Sequence, residues 1–195
     1  MASTLDYYNE NAKAYFLSTV DCKMDKAISA FLKEINKESA LLLDFGCGSG
    51  RDSKVFLDKG FDVVPIDGSA EMCQEAERFL SHPVKHMFFI DLDEKDVYDG
   101  IWACASILHL PYDKLKRVIS KMERALKKDG VIYASFRYGE MEGLRGDRYF
   151  TDMNEEKLQD LISHTNLSVV KTWISNDIRL DRAGDKWLNI LLKKI

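Results

Sequence analysis

The chain has 195 residues, 46% hydrophobic and 31% charged, with a net charge of −4. That length and balance fit one globular domain with a single substantial core. They argue against a dedicated nucleic-acid binder, which needs a basic surface, and no apolar run approaches the ~18–20 residues of a membrane span.

The N-terminal MASTLDYYNENAKAYF is polar and has no apolar signal core, so a cytoplasmic protein is expected. Cys22, Cys47, Cys73 and Cys104 are far apart. They form no metal-ligand spacing and are expected to be reduced thiols. No metal site is expected, and the sequence does not indicate an oligomeric state.

The spacing of apolar residues predicts helices over Leu5–Ser18, with an aromatic cluster, and Lys23–Ile35. A strand follows at Ala40–Phe45, then a helix from Asp52 to Lys59 that stops at Gly60. Phe61–Ile66 reads as a strand and Ser69–Leu80 as a helix, with Ser69 as its cap and Met72 at the third helical position. Val84–Ile90 reads as a third strand ending at Asp91, and Gly100–Cys104 as a fourth. A helix over Asp113–Leu126 closes in the turn Lys127–Gly130, before a strand at Val131–Phe136 and an irregular stretch over Arg137–Phe150. Asn154–Ser163 is a helix capped by Asn154, with acids in its first turn. Leu167–Ile174 and Lys186–Leu192 are two last strands joined by a long hairpin loop. The alternation indicates an α/β fold, a mostly parallel sheet with helices on both faces and one antiparallel strand near its end.

In such a sheet a ligand lies outside the carboxyl ends of the strands. There the first strand runs into DFGCGSGRD. Gly46 and Gly48 remove side chains where a ligand approaches the backbone, and Gly50 lets the next helix start close to the sheet. The pattern is not the dinucleotide G-x-G-x-x-G. Asp44 precedes the turn, where it would repel phosphates and favour a cationic group. Asp67 ends the second strand 23 residues after Asp44, near the ~20-residue spacing at which an acid reaches ribose hydroxyls. The alternative for Asp67 is capping the Ser69 helix. Asp91 is placed to accept from an exocyclic amine while the Leu92 backbone pairs with a ring nitrogen; the alternative is a solvated acidic loop. For Arg51, a ligand carboxylate and a pair with Asp52 are the two readings.

The segments LLLDFGCGSG, VVPID, FFIDL and DGIWACASILHL resemble, in order and spacing, the motifs of class I S-adenosylmethionine-dependent methyltransferases. More narrowly the chain resembles small bacterial methyltransferases of the type 11 or type 12 domain group, with tellurite-resistance methyltransferases among the relatives. The resemblance implies a Rossmann-like seven-stranded sheet in the order 3-2-1-4-5-7-6, its last strand antiparallel. It implies S-adenosylmethionine as cofactor and S-adenosylhomocysteine as product. The implied organisation is a helical lid over residues 1–36 followed by the methyltransferase domain over residues 37–195, within one compact unit. Cofactor roles fall on Asp44, Gly46, Cys47, Gly48, Gly50 and Arg51 around the turn, and on Asp67, Gly68, Met72, Asp91, Leu92 and Ala105 beyond it.

On the acceptor side, His109 in SILHLP is the best base candidate, because histidine titrates near neutral pH; the alternative is a structural histidine bonded to a loop carbonyl. Tyr8 is a second catalytic candidate, and Tyr7 a substrate contact, both from the lid helix. Arg137 and Arg148, with Arg179 and Trp187 from the hairpin loop, would form a cationic pocket for an anionic small substrate. The alternative is a solvated loop whose arginines pair with neighbouring acids. There is no N/D-P-P-Y/F motif after the fourth strand and no Pro-Cys nucleophile. The reading is methyl transfer to a small molecule. Its rivals are a non-catalytic cofactor-binding module and a protein or RNA methyltransferase; a nicotinamide dehydrogenase is disfavoured by Asp44 and the missing last glycine.

Overall fold

The computed structural model describes residues 4–35, 37, 39–178 and 184–195. Two helices, α1 (Thr4–Thr19) and α2 (Asp25–Glu34), precede strand β1 (Leu41–Phe45). Then come α3 (Arg51–Asp58), β2 (Asp62–Asp67), α4 (Ala70–Leu80), the two-residue β3 (Lys85–His86) and a 3-10 turn at Phe89–Asp91. Next are β4 (Tyr98–Ala103), a 3-10 turn at Ile107–His109, α5 (Tyr112–Ala125) and β5 (Leu126–Arg137). The chain closes with a hairpin of β6 (Glu142–Arg145) and β7 (Arg148–Thr151), helix α6 (Glu155–Ile162), β8 (Leu167–Asn176) and β9 (Lys186–Lys194).

The main sheet has seven strands in the order β3-β2-β1-β4-β5-β9-β8. β1 to β5 pair in parallel, and β9 runs antiparallel between β5 and β8. With the separate β6–β7 hairpin set aside, this is the order 3-2-1-4-5-7-6 and the Rossmann-like fold expected from the sequence.

The central strands read as continuous apolar runs because both of their faces are covered. Along β1, Leu42 packs with Phe31 of α2, Phe56 of α3, Trp102 and Tyr133. Leu43 and Phe45 point the other way, toward Ile101, Phe136 and the apolar faces of α5 and α6. The face of α5 recurs at Leu115, Val118, Ile119, Met122 and Ala125, the spacing of one helical stripe. Phe31, Phe56, Trp102 and Tyr133 are fully buried; burial of each such ring contributes about 1.5–3 kcal/mol. Two helix starts form as their sequences predict. Ser69 Oγ accepts from Met72 N at 3.1 Å, and Asn154 Oδ1 accepts from Lys157 N at 2.9 Å.

Four expectations change. The third strand shrinks from Val84–Ile90 to Lys85–His86, because as an edge strand it has only β2 to pair with, at Ile66 and Asp67. Residues 127–130 are not a free turn: β5 begins at Leu126, opposite Tyr98, and a register shift before Gly100 absorbs the KKDG residues, with Asp129 left-handed. The stretch Arg137–Phe150 is not irregular. Glu142–Arg145 and Arg148–Thr151 pair across a two-residue turn at Gly146 and Asp147, and Gly146 supplies the positive φ such a turn needs. Both last strands are longer than expected.

Candidate active site

The strand ends open into one cavity of about 560 Å³. Its floor is the turn after β1, the ends of β2, β4 and β5, and residues 104–106. Thr4, Leu5, Tyr8, Tyr15 and Thr19 of α1 cover it.

The glycine turn is fixed by its backbone. Gly46 has a φ of +92°, and a Cβ there would lie 2.4 Å from the Cβ of Ser106. Gly46 N and Cys47 N both donate to Ile66 O, at 3.0 and 2.8 Å, tying the turn to β2. Gly48 N donates to Asp67 Oδ2 at 2.9 Å, and Ser69 N to Asp67 Oδ1 at 2.9 Å. Asp67 thus braces two turns and also lines the cavity. Burial pushes its carboxyl up, while the backbone N–H groups of Ser69, Gly48 and Gly68 pull it back.

Asp44 is almost wholly buried beside this turn and accepts from Ser53 Oγ at 2.5 Å. Burial, then the negative charge of Asp52, pushes its carboxyl up to about 8. Without a cationic ligand it therefore holds a proton at neutral pH. Arg51 lines the cavity but is bound by both its Nε and Nη2 to Asp52, at 2.7 and 2.8 Å. Asp52 also accepts from Trp102 Nε1 at 2.9 Å. Of the two readings of Arg51, the pair with Asp52 is the one present.

Across the cavity, Tyr8 and His109 meet although 101 residues separate them. His109 Nδ1 lies 2.6 Å from the carbonyl oxygen of Tyr149, which can only accept, so Nδ1 carries the proton. Nε2 then accepts from the Tyr8 hydroxyl at 2.9 Å. Burial and the nearby charge of Arg148 lower the imidazole to about 4, the hydrogen bond to Tyr149 opposing them. The expected titration near neutral pH is therefore overturned: His109 is neutral at pH 7 with its lone pair toward Tyr8. Burial, then Tyr15, holds the Tyr8 phenol well above the ordinary tyrosine range, so it stays a donor. Arg148 Nη1 donates to the same hydroxyl at 3.3 Å.

Asp44, Gly46, Cys47, Gly48, Arg51, Asp67, Gly68, Met72, Ala105, Tyr8, His109, Arg137, Arg148 and Trp187 all line this one cavity. Ala105 is left-handed and anchored by its N–H to Ser135 Oγ at 2.8 Å. Arg137 pairs with Asp185 and Trp187 Nε1 with Asp177, so these two are partly engaged.

Other expected contacts do not reach the cavity. Gly50 faces α4, where a Cβ would sit 3.0 Å from Leu80, and it serves helix packing. Asp91 is exposed and Leu92 is buried in the core. The 3-10 turn carries the chain past the cavity one step earlier and presents Phe88, Phe89 and Ile90 instead. Tyr7 does not line the cavity; its ring packs under Arg148 at 4.7 Å. Arg179 and Arg182 lie outside the described residues. Ser135 and Asp52 were missed, as were the three apolar residues at 88–90. The exposure of Phe88 and Ile90, 45% and 44%, is visible only once the strand is known to stop early.

Among the described residues no cluster of His, Cys, Asp or Glu could hold a metal, and no helix is long and apolar enough to cross a membrane.

Residues 43–132 match the family model of a methyltransferase domain. A putative methyltransferase, YqeM of Bacillus subtilis, is 28% identical over 133 residues, 61% of this chain and 51% of that protein. The chain spans about half the length, or less, of the curated relatives it matches. Among solved structures, the 1,6-didemethyltoxoflavin-N1-methyltransferase of Burkholderia thailandensis superposes with a TM-score of 0.76 at 20% identity, over 97% of this chain and 84% of that one. The magnesium protoporphyrin IX methyltransferase of Synechocystis PCC 6803 gives 0.76 at 15% identity, over 97% of both chains. At these identities the structural likeness is one of fold. The domain match over residues 43–132 and the strand order agree, and the chain resembles the class I S-adenosylmethionine-dependent methyltransferases.

Proposed function

We propose that this chain transfers a methyl group from S-adenosylmethionine to a small-molecule acceptor inside the cavity under α1. The observation that carries the reading is the pairing of two unlike walls in that cavity. One is a glycine turn flanked by Asp44 and Asp67; the other is the Tyr8–His109 pair.

The first wall fits the cofactor. Gly46 keeps the backbone bare where a Cβ would collide with Ser106. Asp67 suits ribose hydroxyls. Phe88, Phe89 and Ile90 offer apolar contact to the adenine ring in the place first assigned to Asp91 and Leu92. Asp44 suits the cationic methionine end, and a cation there draws its carboxyl toward the ionised form. When bound, the cofactor supplies an electrophilic methyl on a sulfonium, and the protein supplies position and electrostatics.

On the second wall, Tyr8 presents a hydroxyl to the acceptor and His109 holds it in place. A proton leaving the attacking heteroatom passes to Tyr8 Oη while the Tyr8 proton passes to His109 Nε2. α1 then acts as the lid over both ligands.

Isothermal titration with S-adenosylhomocysteine is expected to show one site per chain, and incubation with S-adenosylmethionine and small acceptors should release S-adenosylhomocysteine. No heat for the native chain would end the reading. Binding without turnover on any small acceptor would leave a cofactor-binding module.

A further inference from the structure

Five arginines of the described chain are held by carboxylates: Arg51 by Asp52, Arg78 by Glu75, Arg124 by Asp93, Arg137 by Asp185 and Arg145 by Asp152. Arg148 is built differently. Among the described residues no carboxylate pairs with it, and only one of its N–H donors has a partner, the Tyr8 hydroxyl at 3.3 Å. Aromatic faces hold it instead, with its guanidinium carbon 4.7 Å from the centre of the Tyr7 ring and 5.3 Å from that of Phe150. A cation over ring faces keeps its in-plane donors free.

The hairpin accounts for this arrangement. Arg145 and Arg148 sit opposite each other across the turn. Arg145 turns to Asp152, both of whose carboxylate oxygens it takes, at 2.6 and 2.5 Å. Arg148 turns to the cavity beside Tyr8, His109 and Phe150. One strand pair thus spends one guanidinium on its own stability and offers the other to the cavity.

We propose that Arg148 is the anion-receiving residue of the acceptor wall, and that the methyl acceptor carries a carboxylate which Arg148 takes through its free donors. The proposal rests on the methyltransferase reading above and adds the class of acceptor. Flanked by the Phe150, Tyr7 and Tyr8 rings, the Arg148 fork matches a carboxylate on an apolar body; Lys114 and Arg117 line the same cavity but are exposed on α5, away from those rings. The charge of Arg148 also helps hold the His109 imidazole down. A carboxylate on Arg148 offsets that charge, so the acceptor's own anion strengthens the base that takes its proton.

The test is binding by calorimetry to the chain saturated with S-adenosylhomocysteine. The probes are benzoate and salicylate against their uncharged amides, benzamide and salicylamide. The acids are expected to bind at least tenfold more tightly than the amides, and Arg148→Gln should abolish that preference while S-adenosylhomocysteine still binds. Arg148→Lys keeps the charge without the fork and should shrink the preference; it serves if the glutamine variant does not fold. Equal affinity for acids and amides in the native chain, no binding of either, or an undiminished preference in the variants would overturn the proposal with the cofactor reading intact. Failure of S-adenosylhomocysteine to bind the native chain would overturn both.

Discussion

Where β1 and β2 end, backbone makes the cavity surface. Left-handed glycines, main-chain N–H groups on Asp67 and the carbonyl of Ile66 fix it within a span of about two dozen residues. Under α1 and the β6–β7 hairpin, side chains make it. Tyr8, His109 and Arg148 arrive from three segments, with 101 residues between the first two and 140 between Tyr8 and Arg148. A wall of backbone cannot be altered one atom at a time without strain, whereas a wall of side chains can be re-cut to a new ligand without touching the fold. The first suits a ligand that stays the same and the second a ligand that differs between relatives.

Substitutions should separate the two walls, and the largest effect is expected where backbone is involved. Gly46→Ala combines a left-handed residue with a Cβ that meets Ser106. Together these should cost about 2–4 kcal/mol in denaturant unfolding and abolish S-adenosylhomocysteine binding. A variant as stable as the native chain would show that the turn is softer than its geometry implies. Asp67→Ala removes the acceptor of Gly48 N and Ser69 N along with the proposed ribose contact. Affinity for S-adenosylhomocysteine by calorimetry should fall ~10–100-fold, the loss of one or two charge-assisted bonds. Unaltered affinity would reduce Asp67 to a brace of the turn.

Across the cavity, Tyr8→Phe keeps the ring contacts to Tyr7, Tyr15 and His109 and removes only the hydroxyl. Turnover should drop roughly 10–100-fold while S-adenosylhomocysteine affinity stays within twofold, a loss of the size seen for single proton-transfer groups. Equal losses in both measurements would mean that the two walls are one site and that the division drawn above is wrong.

The same division explains what could be read from the chain alone. The glycine turn, Asp44 and Asp67 are legible because their roles follow from backbone conformation and short spacing. Asp91 and Leu92 were expected at the cavity, where Phe88, Phe89 and Ile90 stand: an apolar run such as VKHMFFI reads as a strand, and nothing local says that an edge strand will stop at His86 and curl into a 3-10 turn. The partnership of Tyr8 with His109 was invisible, since no local pattern joins residues 101 apart. Arg137 and Arg148 looked alike in the sequence. Only the fold shows that Arg137, at the end of β5, is held by Asp185 beside β9, while Arg148 of the hairpin faces the cavity without a carboxylate.

The effect sharpest in sign concerns Asp44. Its carboxyl sits near 8 in the folded chain, against about 3.9 for a free aspartate. Between these values the folded chain keeps a proton that the unfolded chain has released. Stability without ligand should therefore fall as pH rises from about 4 to about 8, with no further loss from this group above that. Asparagine keeps a carbonyl for Ser53 Oγ and has no proton to lose. Asp44→Asn should match the native chain near pH 4 and exceed it increasingly toward pH 8 in unfolding measurements without ligand, the gap opening by about 1.4 kcal/mol per pH unit. In the same variant S-adenosylmethionine should bind more weakly, because the carboxylate that a cation would ionise is gone. A stability gap that does not widen with pH would show Asp44 already ionised in the empty cavity. The glycine-turn wall would then carry a negative charge before its ligand arrives, facing the cationic Arg148 beside Tyr8 and His109.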